Sequence, residues 1–213
     1  MSVSTRWTLA ALAVVVALAV AFGLQFTEDP GQPDDRSTAQ SERIRRDADT
    51  PEALEGPRRL ADLPPCPAAG SGAGPAELRG VVAGCAADGS IVEVARALAD
   101  RTVVLNLWAY WCAPCAEELP ALVAYQRRVG DAVAVVTVHQ DQNEAAALLR
   151  MAELGVRLPV LQDGQRSIAA ALGVPNVMPA TVVLRRDGTV ADILPRAFTS
   201  ADEIAAAVDS ALR

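Results

Sequence analysis

Apolar and polar residues follow two different periods in the second half of this 213-residue chain. Residues 102–108 and 132–138 are continuous apolar runs, a pattern typical of strands that are buried on both faces of a sheet. Residues 114–128 and 141–154 instead space their apolar side chains as amphipathic helices do. A helix between two such strands forms a right-handed crossover, so we expect the strands to be parallel and to end at one edge of the sheet.

Shorter elements complete the pattern. Two apolar runs flank an Asp187-Gly188 turn, which is a strong signal for a β-hairpin. Ser200, followed three residues later by Glu203, predicts a capped C-terminal helix. The order of elements predicts an α/β domain with a four- to five-stranded mixed sheet and helices on both faces. The remaining predicted elements are strands at 78–83, 158–162, 181–185 and 190–194 and short helices at 91–99 and 166–172.

The N-terminal part of the chain has a different composition. Residues 7–26 carry no charge, and a stretch of this length can span a bilayer. Arg6 precedes the stretch and acidic residues follow it, which orients the rest of the chain outside the cytoplasm. We therefore predict a transmembrane anchor at 1–26. A cleaved signal peptide is the alternative, because Ala19-Val20-Ala21 offers a small-x-small site.

Residues 27–60 hold few large apolar side chains among many charged residues and prolines, so we predict a disordered linker. A single domain at 61–213 follows, with a Pro-, Gly- and Ala-rich N-terminal extension at 61–100. Anchored in the cell membrane by one span, this domain would lie outside the cytoplasm, where disulfides persist. The net charge of −7 and the lack of a basic cluster argue against a nucleic-acid partner.

A Cys-x-x-Cys motif joins the first apolar run to the helix that follows it. Cys112 would lie at the helix N-terminus, where unpaired N–H groups and the helix dipole favour a thiolate, so it is the candidate nucleophile. Cys115 is the candidate resolving thiol, because it can attack a mixed disulfide formed at Cys112. Pro114 suits the first helical turn.

The other two cysteines decide between competing interpretations of the motif. A zinc site needs a second pair of ligands, but Cys66 and Cys85 are 19 residues apart and the chain has one histidine. We therefore expect no metal site and no cofactor beyond the redox-active disulfide of Cys112 and Cys115. Cys66 and Cys85 are left for each other and should form a structural disulfide. A second redox pair is the alternative.

Residues 106–120, Asn-Leu-Trp-Ala-Tyr-Trp-Cys-Ala-Pro-Cys-Ala-Glu-Glu-Leu-Pro, resemble the active-site segment of the TlpA/ResA-like thioredoxins. Residues 177–184 resemble the cis-proline loop and following strand of that family, and the resemblance covers about residues 76–213. It implies a thioredoxin-like fold and an extracytoplasmic enzyme that exchanges disulfides with protein partners. It also implies a membrane electron donor, and reduction of proteins such as apocytochrome c in preference to oxidation of nascent chains.

The resemblance also assigns residues around the dithiol. Met178 and Pro179 would form the cis-proline loop that presents backbone to an extended substrate. Glu118 would tune the pKa values of the dithiol and move a proton to or from Cys115, although an ordinary first-turn acid is the alternative. Trp111, an aromatic residue beside the nucleophile, would grip the substrate chain.

Three further residues receive structural interpretations. Asn106 stands where cytoplasmic thioredoxins carry a buried aspartate, Trp108 is expected in the core, and His139 is expected to be a solvated loop residue on the active edge. Two other functions stay open. A copper chaperone would use the thiolates with a histidine, usually at a longer cysteine spacing, and a peroxiredoxin-like peroxidase would usually carry its nucleophile in a Thr-x-x-Cys context with an arginine nearby.

Overall fold

Residues 49–213 are described by a computed structural model of the protein. The predicted anchor at 1–26 and the predicted linker up to residue 48 lie outside these described residues. Within 49–213, no helix is both long enough and apolar enough to cross a membrane.

One mixed sheet of seven strands runs through the described residues. Its strands are β1 (Val82–Cys85), β2 (Ile91–Glu93), β3 (Thr102–Trp108), β4 (Val133–His139), β5 (Val160–Gln162), β6 (Ala180–Leu184) and β7 (Val190–Leu194). In space they follow the order β2-β1-β5-β4-β3-β6-β7. β3 pairs in parallel with β4 and antiparallel with β6, which confirms the predicted parallel crossover.

Helices cover both faces of this sheet, as predicted. They are α1 (Pro51–Ala61), α2 (Val94–Ala97), α3 (Ala113–Val129), α4 (Glu144–Leu154), α5 (Ser167–Ala171) and α6 (Ala201–Leu212), with short 3₁₀ turns at Ala76–Leu78 and Gly130–Ala132. Apolar side chains of α1, α3, α4 and α6 form the core on one face. Those of α2 and α5 form the core on the other.

The central strand β3 shows why its sequence is apolar throughout. Val104 and Trp108 belong to the core on one face, whereas Val103, Leu105 and Leu107 belong to the core on the other. Because both faces are covered, every position needs an apolar or hydrogen-bonded side chain.

The predicted sheet of four to five strands is wrong, because β1 and β2 add an antiparallel hairpin that pairs with β5. The strand predicted at 78–83 begins four residues later than predicted and spans Val82–Cys85. The helix predicted at 91–99 divides into β2 and α2. Backbone pairing of Val92 with Ala83 overrides the helical spacing of the local sequence.

The linker prediction is also wrong for residues 51–60, which form α1. Thr50 caps this helix through its side chain, and Pro51 occupies its first turn. Leu54 is buried against α4, and Arg58 donates to Glu144 Oε1 at 2.9 Å. The segment has too few apolar residues to fold alone, so its helix is stabilised by packing on the domain.

We expect the mutation Leu54→Ala to lower the free energy of unfolding by about 2–4 kcal/mol, since it removes a fully buried leucine. Leu54 is 2% exposed, whereas Leu60 of the same helix is 64% exposed and provides the matched control. Leu60→Ala should change stability by less than about 0.5 kcal/mol in urea unfolding. Equal effects of the two substitutions would contradict the docking of α1.

Cys66 and Cys85 are joined by a disulfide, which confirms the predicted pairing. Cys85 is buried at the end of β1, opposite Leu161 of β5. The bond therefore ties the Pro- and Gly-rich extension to β1. Cys85 belongs to the core on one face of the sheet, whereas Cys112 and Cys115 belong to the core on the other.

Replacing both Cys66 and Cys85 by alanine should lower the free energy of unfolding by roughly 3 kcal/mol, because a loop of nearly 20 residues is no longer closed in the unfolded chain. Disulfide exchange at Cys112 should continue at the wild-type rate. Thiol counting in mild reductant should release two thiols early and two only on unfolding. Release of all four together, or a loss of exchange at unchanged stability, would support the second redox pair.

Candidate active site

The dithiol lies where the central strand meets the longest helix. Cys112 is the N-cap of α3, and its Sγ accepts a hydrogen bond from the backbone N–H of Cys115 at 3.3 Å. The two cysteines form a disulfide with their Cα atoms 5.3 Å apart. Cys112 is 5% exposed, whereas Cys115 is completely buried. An external sulfur can therefore reach Cys112 first.

The local charge distribution favours a thiolate at Cys112 in the reduced protein. The sulfur lies at the positive end of the α3 dipole and receives an N–H of its first turn. No acidic side chain of the described residues lies in that first turn to oppose the effect. Pro114 occupies the first turn, as predicted, where its missing N–H removes no helical hydrogen bond.

Glu118 lies one helical turn after Cys115 and is buried beneath the dithiol. Burial raises the pKa of its carboxyl to about 7, against the lowering effect of its hydrogen bonds. Oε2 accepts from Asn106 Nδ2 at 2.9 Å, and Oε1 accepts from the backbone N–H of Phe198 at 3.2 Å. Glu118 lies beyond the first turn of α3 and is buried, whereas the neighbouring Glu117 is exposed, so Glu118 does not fit the alternative of an ordinary first-turn acid.

Asn106 lies within β3. Its Nδ2 donates to Glu118 and also to Thr181 Oγ1 at 3.2 Å. Asn106 and Thr181 are both completely buried, on neighbouring strands β3 and β6. Asn106 Oδ1 has no partner among the described residues. The group below the dithiol therefore holds one titratable carboxyl and one neutral amide.

The residues predicted to contact substrate are Trp111, Met178 and Pro179. The Met178–Pro179 peptide bond is cis, as the resemblance implied, and Met178 packs against the core cluster that contains both active-site cysteines. Val177, just before it, is exposed. Trp111 is 56% exposed, and its indole N–H donates to Asp141 Oδ2 at 3.0 Å. Trp111 and Val177 are thus exposed apolar residues close in sequence to Cys112 and to the cis-proline.

His139 is not the solvated loop residue that the sequence suggested. It is the last residue of β4, completely buried, and pairs in register with Trp108. Burial lowers its pKa, so the ring is neutral at neutral pH. Nε2 accepts the backbone N–H of Tyr110 at 3.4 Å, and Nδ1 donates to Gln162 Oε1 at 2.8 Å. Both ring nitrogens are therefore engaged in hydrogen bonds within the protein.

Residues that the sequence analysis missed fix the loop between β3 and α3. Arg150 donates to the backbone oxygen of Tyr110 at 3.2 Å, while the backbone N–H of Tyr110 donates to His139. Gln162 donates to the backbone oxygen of Asp141 at 2.6 Å. The parallel register of β3 and β4 was the available signal, since it places the residues after each strand side by side.

Comparisons with known proteins agree with this geometry. The thiol–disulfide oxidoreductase ResA of Bacillus subtilis (strain 168) is 29% identical over 103 residues, which are 48% of this chain and 57% of ResA. The thioredoxin-like protein YneN of the same organism is 32% identical over 96 residues, 44% of this chain and 55% of YneN. The chain thus spans little more than half the length of these curated relatives.

A solved structure with the same architecture is MTB DsbF in its mixed oxidized and reduced forms, with a TM-score of 0.57 and 26% identity over 65% of this chain and 98% of DsbF. The fold is therefore the predicted thioredoxin-like α/β fold. The sequence model of the Redoxin family matches residues 68–207, which include Cys85, the Cys112–Cys115 disulfide, Glu118 and the cis-proline loop. The chain belongs to the Redoxin family.

Proposed function

We propose that the protein is an extracytoplasmic thiol–disulfide oxidoreductase that acts on protein substrates through Cys112 and Cys115. The observation that carries this proposal is the disulfide at the N-terminus of α3, in which only the Cys112 sulfur lies near the surface. The disulfide itself is the redox group, so the proposed reaction needs no other cofactor.

In the reducing direction, the Cys112 thiolate attacks one sulfur of a substrate disulfide. A mixed disulfide forms and the other substrate sulfur leaves as a thiolate. The Cys115 thiolate then attacks the Cys112 sulfur, which closes the Cys112–Cys115 bond and releases the second substrate thiolate. Two electrons pass from the protein to the substrate, and a donor dithiol must return them.

The reducing direction, with proteins such as apocytochrome c as substrates, is part of the proposal. So is a membrane electron donor that restores the dithiol. We propose that residues 1–26 anchor the chain in the cell membrane and hold the domain outside the cytoplasm, where such substrates and donors meet. Similarity to the thiol–disulfide oxidoreductase ResA and to a secreted Mycobacterium tuberculosis disulfide oxidoreductase homologous to E. coli DsbE supports the proposed disulfide exchange, and the secretion of the second protein supports a location outside the cytoplasm.

Glu118 is proposed to exchange a proton with Cys115 during the resolving step. Its pKa of about 7 allows it to take up or release a proton near neutral pH. Asn106 suits both protonation states. Its Nδ2 donates to the carboxylate, and a half-turn of the amide would let Oδ1 accept from the protonated acid.

The copper-chaperone alternative finds no support in the geometry, because His139 uses both ring nitrogens within the protein. The peroxidase alternative calls for a nucleophile in a Thr-x-x-Cys context, and the residue three positions before Cys112 is Ala109. We therefore keep disulfide exchange as the single proposed function.

We expect Cys112→Ser to abolish exchange and Cys115→Ser to accumulate mixed disulfides with substrate, because only the second variant keeps the attacking thiolate. The measurement is the reduction of a peptide disulfide, with non-reducing gels to detect the trapped species. The Cys66→Ala, Cys85→Ala double variant is the control and should exchange normally. Trapping by Cys112→Ser instead would reverse the two roles.

Glu118→Gln should flatten the pH dependence of stability between about pH 4.5 and pH 7. The folded carboxyl has a pKa of about 7, so the folded state keeps a proton that the unfolded chain releases above about pH 4.5. In the wild type this stabilisation is complete at low pH and is lost as pH rises to 7, by on the order of 3 kcal/mol. Glutamine has no such proton to lose.

Glu117→Gln, an exposed change on the same helix, provides the control for urea unfolding across this pH range. It should leave the wild-type slope unchanged. The pH profile of the resolving step should also lose its inflection near pH 7 in Glu118→Gln alone. A wild-type slope in Glu118→Gln would show that its carboxyl does not titrate as proposed.

A further inference from the structure

Arg166 connects two loops at the active-site edge of the sheet. Its Nε donates to Gln140 Oε1 at 2.7 Å, and its Nη1 donates to Asn176 Oδ1. Gln140 follows β4 and is buried, and its backbone N–H donates to the backbone oxygen of Trp108 at 2.9 Å. A continuous set of hydrogen bonds therefore runs from the end of β3 to the segment just before the cis-proline.

The backbone of Arg166 is held in an unfavourable conformation. Its φ is +57°, in the left-handed region that a side chain disfavours by about 1 kcal/mol or more. Asp163 fixes this conformation by accepting from the N–H of Arg166 through its backbone oxygen and from the N–H groups of Ser167 and Ile168 through its carboxylate. The guanidinium thus projects from a rigid turn that is itself bonded to His139.

The segment that Arg166 reaches has few other means of attachment. Pro175 and Pro179 have no backbone N–H to donate, and Asn176 and Val177 between them are exposed. Val174 is bonded to Ala169 at the start of the segment. Within the described residues, the side-chain hydrogen bond that reaches the exposed residues 176–177 is the one from Arg166 to Asn176.

We propose that Arg166 is a positioning residue that holds residues 176–179 at a fixed separation from the dithiol loop and so sets the affinity for extended protein substrates. This inference rests on the proposed disulfide exchange. A guanidinium presents Nε and Nη1 in a rigid planar fork, which suits one side chain that must bond two loops at once. A groove fixed before binding loses less conformational freedom when a peptide enters it.

Arg166 could instead raise affinity through its charge, by attracting acidic substrates. The substitution Arg166→Lys distinguishes positioning from attraction, because lysine keeps the charge but has one side-chain nitrogen and cannot bond both loops at once. Positioning requires that Arg166→Lys behave as Arg166→Ala does, whereas attraction by charge requires that lysine restore binding.

The test is single-turnover oxidation of the reduced protein by a short peptide disulfide and by 2-hydroxyethyl disulfide, which has no peptide backbone. In Arg166→Ala, Arg166→Lys and Asn176→Ala the half-saturating peptide concentration should rise about tenfold, as expected for loss of one charge-assisted hydrogen bond. The limiting rate with peptide and the rate with 2-hydroxyethyl disulfide should not change. The double variant Arg166→Ala, Asn176→Ala should be no worse than either single variant, since both remove the same bond.

Arg157→Ala is the matched control, because Arg157 pairs with Asp62 at a surface away from these loops. It should bind the peptide as the wild type does. Asn176→Ala changes an exposed side chain and keeps the test valid if Arg166→Ala does not fold. Wild-type affinity in Asn176→Ala, additive effects in the double variant, or rescue by lysine would each overturn the inference. If the wild type oxidises with neither disulfide, the proposed exchange itself fails.

Discussion

The burial of β3 on both faces is the constraint on which the site depends. Its side chains are shared between two cores, so the strand cannot slip by one residue without moving apolar side chains from one core to the other. Its end is therefore fixed, and so is the start of α3 five residues later. This junction places the Cys112 sulfur at a helix N-terminus and at the carboxyl edge of the parallel strands, where loops rather than helices surround it.

Beneath the dithiol the same core contains an exception to its apolar composition. Burying an ionised carboxyl is unfavourable. For Glu118 two hydrogen bonds offset part of this cost, and the remaining cost raises the pKa to about 7, so that the neutral form is favoured at lower pH. The partners come from β3 and from the loop before α6, far apart in the sequence. Such an arrangement is easier to explain by the chemistry of the adjacent thiol than by stability, because an apolar side chain would fill the same space without the penalty.

The three residues after Val138 act as a frame for the site. His139 holds the backbone of the loop that carries Trp111, Asp141 holds the Trp111 indole, and Gln140 receives Arg166. Each contact reaches a different part of the edge. The segment after β4 thus bonds the loop that carries Trp111 and, through Arg166, the segment before the cis-proline. We assign none of its side chains a role in the exchange chemistry. Arg150 adds a second bond to the Tyr110 backbone from α4.

Local sequence determined the elements whose chemistry is local. The apolar run of β3, the Cys-x-x-Cys at the start of α3 and the capping of α6 by Ser200 depend on neighbours within a few residues, and the structure has all three. The pairing of Cys66 with Cys85 followed from the count of cysteines. The cis-proline at Pro179 came from the resemblance and not from propensity, which favours the trans form.

Only the tertiary structure decided the remainder, because it depends on contacts between distant segments. α1 is helical since Leu54 and Arg58 find partners on and beside α4, and the hairpin of β1 and β2 exists because β5 offers an edge for pairing. The burial of His139 follows from a parallel register with Trp108 that extends one residue beyond the apolar run. Arg166 and Asn176 are ten residues apart, and no sequence pattern around either residue predicts the hydrogen bond between them. Burial and hydrogen bonding between remote residues are properties of the packed chain, and no periodicity within a segment encodes them.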